Sequence, residues 1–314
     1  MRLRNFFVAI PVLLAIAVAC SSGAELVDEA LSDSPAVEAP LLANEFALIK
    51  GPVSPDGMQA IFGTSDLGVG ANRIGFVLTS SEGLQRAPAV SVSSRFFPDG
   101  DSEGEVKQTA LAVFRPWPYG TRGLYTTTLD FDVPGRWGLD IVVLGAAGGG
   151  PVELSFDVRE SPLAPAVGTA AILSDSKTVA DVLSSSELTT GSMYDEDLYQ
   201  LTIADAVANG LPSVIVMASP AFCTNAVCGP QVETLQELKD LYKGRANFIH
   251  VDIYDNPNEI QGDLDRAIIS PTAIEWNLPS TEWSFVIDSA GVVSARFESF
   301  ATIDELEEAL KRVL

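Results

Sequence analysis

The run Ser213-Val-Ile-Val-Met217 is short, apolar and rich in β-branched residues, which predicts a buried strand. Phe222-Cys223-Thr-Asn-Ala-Val-Cys228-Gly229-Pro230 follows it. Beyond that, Val232, Leu235, Leu238 and Leu241 recur at helical spacing up to Gly244. Proline is favoured in the first helical turn, where its missing N–H costs nothing, so the helix starts close to Pro230. Two cysteines are therefore held at a strand-to-helix junction. On one continuous helix an i,i+5 pair would point about 140° apart and could not bond. A bridge between Cys223 and Cys228 therefore needs a non-helical loop that ends near Cys228. Such a pair serves either thiol–disulfide exchange or a structural clamp.

The junction sits in an alternating pattern from Leu198 to the C-terminus. Thr202-Ile-Ala-Asp205 opens a short helix that Gly210 and Pro212 close. Ala246 to Asp252 reads as the next strand and Asn256 to Ile268 as a helix. Trp283 to Asp288 and Val292 to Phe297 read as a hairpin turning at Gly291. Thr302-Ile-Asp-Glu305 is a full capping box, and Ile303, Leu306, Ala309, Leu310 and Val313 form the apolar face of the last helix.

Residues 45–158 show a different period. Arg73–Thr79, Gln108–Phe114, Gly123–Val133 and Trp137–Val143 are strand candidates, separated by turn signals at 54–57, 98–100, 133–135 and 148–150. Several short strands at this spacing predict an all-β antiparallel sandwich with Tyr125 and Trp137 in its core. Residues 159–197 contain Pro162, Pro165 and a serine run at 184–186, and read as a connector that drapes over a domain or moves.

The N-terminus reads as a targeting signal. Arg2 and Arg4 precede a fourteen-residue apolar stretch, Phe6 to Ala19, interrupted by Pro11. That is short of the about 20 residues a spanning helix needs. Ala17-Val18-Ala19-Cys20 resembles a bacterial lipobox, which implies cleavage of residues 1–19 and lipid on the Cys20 sulfur. Residues 20–44, rich in Ser, Ala, Glu and Pro, then form a flexible lipidated tether. The expected place is the extracytoplasmic face of a cell membrane, with the anchor as the membrane contact. The formal charge of −23 repels nucleic acid, so that partner class is excluded. Once Cys20 is lipidated, Cys223 and Cys228 are the only cysteines left, and outside the cytoplasm such a pair is oxidised at rest.

The order of elements from 198 to 314, with the cysteine pair after the first strand, resembles the thioredoxin fold family. Val214-Ile-Val-Met217…Phe222-Cys223, the Asp252…Asn256-Pro257 segment and Phe285-Val-Ile-Asp288…Gly291 carry the resemblance. The overall expectation is thus an α/β thioredoxin-like domain at 198–314 behind an all-β Ig-like sandwich at 45–158. The phrase Gly123-Leu-Tyr…Val-Pro-Gly135-Arg-Trp137 resembles a late hairpin of small Ig-like domains in secreted bacterial proteins. Some of those domains bind copper through His and Met, and this segment has no histidine and only Met58, so no metal is expected there. The resemblance implies a thiol–disulfide oxidoreductase or redox relay. Cys223 is its attacking thiolate, Cys228 the resolving thiol, and the substrates are protein thiols and disulfides of the cell envelope. No cofactor and no metal are implied.

This chain departs from the family pattern in three places. The C-x4-C loop is two residues longer than usual. Met217 stands where the family buries a proton-accepting Asp. The place of the proline facing the cysteines falls on Glu282, with Pro279 three residues earlier. A carboxylate facing the pair opposes a thiolate by like-charge repulsion. The rival reading is a non-catalytic envelope binding or scaffold module with a structural Cys223–Cys228 disulfide, in which Trp276 and Trp283 either line a peptide groove or pack in the core. A copper-delivery reading would need His250 as a third ligand. A peroxidase reading lacks the Thr and Arg that it requires next to the attacking cysteine.

Overall fold

The computed structural model describes residues 49–314 apart from 100–102, 146–149 and 223–227. Residues 1–48 lie outside the described residues, and with them the signal, Cys20 and the tether.

The N-terminal half is one antiparallel sheet. Its strands are β1 (Gln59–Phe62), β2 (Gly70–Ser80), β3 (Gly83–Leu84), β4 (Ala89–Phe97), β5 (Glu105–Pro116), β6 (Gly123–Phe131), β7 (Gly135–Val143) and β8 (Val152–Val158). The order is β1-β2-β6-β5-β4-β7-β8, with β3 paired to β2. The expected pair of separate sheets is replaced by a single curled one, and β5 is the reason. It pairs with β4 from Glu105 to Val113 and continues onto β6 from Val113 to Pro116. The two halves then close over a shared core of Phe62, Phe76, Leu129, Phe131, Trp137 and Phe156. Phe62 stacks on Phe156 at 4.8 Å, and Trp137 meets Phe131 edge-on at 4.8 Å. At the seam, Val69 N–H donates to the Arg159 carbonyl and Arg159 N–H to the Leu67 carbonyl. Gly51 is required there, because a Cβ would lie 1.9 Å from the Glu153 carbonyl oxygen. Strands β1, β3, β4 and β8 add to those anticipated. In β4, Val90 and Val92 point inward with Ser91 between them, and Ser93, Ser94 and Arg95 follow, so the run looks polar in sequence.

The connector drapes over the C-terminal half. Gly168 to Ala171 pair with Gly291 and Val293, Ser174 accepts from the Trp276 indole, and Ser176 accepts from Ile203 N–H. Residues 178–183 make no helix, and the ordered turns are 3-10 segments at Ser185–Glu187 and Glu196–Tyr199.

Next come α1 (Ile203–Ala208), β9 (Ser213–Ala218), α2 (Cys228–Tyr242), β10 (Asn247–Val251), α3 (Pro257–Ile260), α4 (Pro271–Glu275), β11 (Glu282–Ile287), β12 (Val293–Glu298) and α5 (Ile303–Lys311). The expected helix over 256–268 is cut short. Gln261 and Gly262 take left-handed φ values of 49° and 85°, which end α3 after one turn. The sheet runs β10-β9-β11-β12, with β9 parallel to β10 and β11 antiparallel to both of its neighbours. Helix α2 is the crossover between β9 and β10. This is the thioredoxin-like arrangement that the element order implied. Val214, Val216 and Ala218 face α2 and α5, whereas Ile215 and Met217 face α1 and α4. The Thr302–Glu305 capping box forms as expected.

Buried ionic groups join the two sheets. Asp66 is 0% exposed at its side chain and meets Arg296 of β12 at 2.6 Å. It also accepts from Leu163 and Ala164 N–H. Glu298 accepts from Ser65 and Asp66 N–H and from the Ser65 and Ser280 hydroxyls, while burial pushes its carboxyl up from the usual range. Arg73 of β2 pairs with Glu305 at 2.9 Å and donates to the carbonyls of Glu298 and Phe300.

Candidate functional site

Cys228 is the first residue of the fifteen-residue helix α2, fully buried and disulfide-bonded. Cys20 and Cys223 lie outside the described residues. A helix N-terminus presents unpaired N–H groups and about half a positive charge, which favour a thiolate. No acidic residue stands in the first turn of α2 to cancel that field.

The element facing Cys228 is the entry to β11. Its Sγ lies 3.8 Å from the Thr281 carbonyl oxygen. So Thr281, rather than Pro279, meets the cysteine, and no peptide bond among the described residues is cis. Glu282 is the next residue. It alternates with Trp283 and Phe285, so its buried carboxylate is on the α2 side of the sheet with Cys228. Met217 occupies the opposite face, packed with Ile249 and Trp276, and places no proton acceptor beneath α2. Trp276 and Trp283 are also core residues of that opposite face, both 0% exposed, so they line no groove beside the cysteine.

His250 is buried on β10 with both ring nitrogens engaged. Nε2 lies 2.9 Å from the Ala218 carbonyl, which can only accept, so Nε2 carries the hydrogen. Nδ1 is then the acceptor for the Tyr199 hydroxyl at 2.6 Å. Burial lowers its pKa to about 4. A ring so occupied offers no lone pair to copper, and no group of three or more His, Cys, Asp or Glu among the described residues is placed to hold a metal.

Asp252, two residues on, is buried beneath the connector. Its Oδ2 accepts from Thr190 N–H at 2.7 Å and from the Thr190 hydroxyl at 2.9 Å, and Oδ1 accepts from Tyr254 N–H. Burial raises its pKa to about 6 in spite of those bonds. Thr190 in turn touches the Ser219 hydroxyl at 3.0 Å and accepts from Ala221 N–H at 3.1 Å. Thr190, Gly191, Pro220, Ala221, Gly229 and Val232 line a cleft of about 250 Å³ beside the start of α2. Tyr119, on the loop after β5, hydrogen-bonds Glu233 at its edge. Sequence reasoning noted Asp252 only as part of a motif and passed over Thr190. The available signal was Thr189-Thr190-Gly191, a polar turn inside the connector.

These two buried groups have opposite pH signatures. The folded state keeps His250 neutral, so its contribution is present above about pH 6.5 and is lost as pH falls towards 4, by about 3 kcal/mol. The folded state favours protonated Asp252, so acidification from about pH 6 to 3.8 stabilises by about 3 kcal/mol. The two nearly offset in the wild-type chain. His250→Gln removes one of them, and its stability relative to wild type, from urea unfolding, is expected to improve by about 3 kcal/mol between pH 7 and 4. An unchanged difference at the two pH values would contradict the buried neutral His250.

No family model matches the chain. No curated protein matches it. Among solved structures the chain is similar to a thiol:disulfide interchange protein, described as a thioredoxin family protein, from Chlorobium tepidum TLS. That likeness has 15% identity and a TM-score of 0.32, and spans 48% of this chain and 99% of that one. The fold assignment rests on the strand order of the C-terminal sheet. No helix among the described residues is long and apolar enough to cross a membrane.

Proposed function

We propose that this chain is a thiol–disulfide oxidoreductase or redox relay, lipid-anchored through Cys20 on the extracytoplasmic face of a cell membrane. Its substrates are thiols and disulfides of envelope proteins. The observation that carries the reading is a disulfide-bonded Cys228 as the first residue of the crossover helix in a thioredoxin-like sheet. Cys223 is the partner of Cys228 and the attacking group. In the reducing direction the Cys223 thiolate attacks a substrate disulfide and displaces one substrate thiolate. Cys228 then loses its proton and attacks the Cys223 sulfur, and the second substrate thiolate leaves. The protein dithiol gives up two electrons and ends as the disulfide, and the two protons go to the substrate thiols. The oxidising direction is the reverse.

Within this reading residues 45–158 are a β-module built on one curled sheet, 159–197 a connector and 198–314 the redox domain. The β1-β2-β6 and β4-β7-β8 halves closing over one core support the first assignment. The second reading, an inert clamp in a binding module, is favoured by the complete burial of Cys228 and by Glu282 on its side of the sheet. The test is disulfide exchange with a reduced protein dithiol, followed by mass spectrometry. Transfer that requires both cysteines supports the oxidoreductase, and no transfer from the oxidised native protein supports the clamp.

A further inference from the structure

We infer that the wedge between β5 and β6 is a strand-acceptor site. Its occupant is an extended segment of a partner polypeptide that has apolar residues at alternate positions and carries basic residues. The inference does not depend on the redox reading, and it gives the β-module a binding role.

The backbone carries the argument. The β5–β6 ladder runs from Pro116–Gly123 to Val113–Thr126 and stops there. Beyond that point β5 stays on β4 and β6 stays on β2, so the two strands part. Among the described residues no strand lies between them. Phe114 N–H donates to the Pro88 carbonyl, on the β4 side. Backbone groups alternate in direction along a strand, so those of Leu111 and Thr109 point the other way, into the wedge. From the facing side Asp130 N–H points in, and by the same alternation so does Thr128 N–H. Asp130 N–H donates to Gln108 Oε1 at 3.0 Å, so a side chain holds the place of a ladder carbonyl. The backbones are thus parted by the reach of a glutamine side chain, close to the additional ~4.8 Å that one more strand requires. Two sheet edges set this far apart are a template for an added strand.

The side chains define the occupant. On the outer face Leu111 and Val113 are 60% and 41% exposed, and Thr128 stands across from Leu111 in the continued register. On the inner face β5 presents only Ala110 and Ala112 before Phe114, with the core residue Leu129 opposite Ala110. An added strand therefore meets apolar surface on both of its faces, and the small alanines leave its inward side chains room. The bulge between Ser94 and Arg95 ends the regular part of β5 at Gln108. Beyond it the wedge is acidic. Glu105 and Asp132, 66% and 60% exposed at their side chains, share Lys107 at 3.2 and 3.5 Å, and exposed Asp130 adds a third carboxylate. Three carboxylates against one ammonium, on a chain of net charge −23, select a basic segment.

The test titrates the synthetic peptide Lys-Val-Thr-Val-Thr-Val-Lys into the folded full chain, followed by fluorescence anisotropy and amide hydrogen exchange. Bound peptide should slow exchange at Leu111 and Thr128 by about tenfold or more. The same peptide with proline at its centre should bind about tenfold more weakly, because it loses ladder hydrogen bonds. Glutamates in place of its lysines should weaken binding about fivefold at low salt. Leu111→Pro removes an N–H that faces the wedge and no bond to β4, so the fold is kept and binding falls about tenfold. Leu111→Lys, at a position 60% exposed, keeps the experiment decisive if the proline variant fails to fold, and should weaken binding about fivefold. Gln108→Ala removes the competitor for Asp130 N–H and should tighten binding about threefold. No binding at about 1 mM peptide overturns the site. So does binding that proline in the peptide and Leu111→Pro both leave unchanged. A chain that instead dimerises in sedimentation equilibrium, and loses its dimer on Leu111→Pro, assigns the wedge to a second copy and overturns the partner reading.

Discussion

Asp66→Ala is expected to destabilise the folded chain by about 3–5 kcal/mol, because it leaves the Arg296 guanidinium buried without its counter-charge. Arg296 is 14% exposed at its side chain, so water recovers little of the loss. The backbone N–H groups of Leu163 and Ala164 lose their acceptor in the same step. For a chain of this size the thermal midpoint should fall by about 10 °C. The double variant Asp66→Ala/Arg296→Met should recover a large part, since an apolar replacement of a buried pair is commonly neutral or better. Calorimetry of the three proteins is the check. A midpoint within a degree or so of wild type for Asp66→Ala would mean that the joint between the two sheets is not held by this pair. The expected consequence for function is geometric. The loop carrying Trp117 and Tyr119 rests on Phe300 and on Glu233 of α2, so loosening the joint loosens the contact between this loop and the helix that begins with Cys228.

The second large effect concerns the division of labour between the cysteines. On the proposed oxidoreductase reading Cys228→Ser removes the resolving thiol, so an attack by Cys223 stops at the mixed disulfide. Incubated with an oxidised protein substrate, this variant should accumulate a covalent adduct through Cys223 that a small thiol releases. Cys223→Ser should form none, because Cys228 is fully buried against Thr281. Both should lose turnover of substrate by a factor of about 100 or more, since neither can complete the two-step exchange. Non-reducing electrophoresis and mass spectrometry distinguish them. Equal trapping by the two variants would contradict the assignment of roles, and trapping by neither would point to the clamp.

What could be read from the sequence follows from how local the signals are. Pro230, Gly244, Gly210 and the Thr302–Glu305 box are punctuation within a few residues, and the elements they bound stand in the structure within two or three positions. The short α3 was misread because the apolar spacing over 256–268 carries no record of the left-handed Gln261. The curled sheet was misread as a two-sheet sandwich because one strand, β5, serves both halves, and nothing in its composition says so. At the candidate site the cysteines and the position of Glu282 were visible. The partners of His250, Asp252 and Asp66 were not, since Thr190 and Arg296 are 62 and 230 positions away and only tertiary packing brings them in.

The reduction potential of the Cys223–Cys228 pair, measured in the chain from residue 21 onward against glutathione buffers, tests the redox reading most directly. The expected value is above about −230 mV, within the range of working oxidoreductases. A value below about −300 mV would contradict it and leave the disulfide as a clamp.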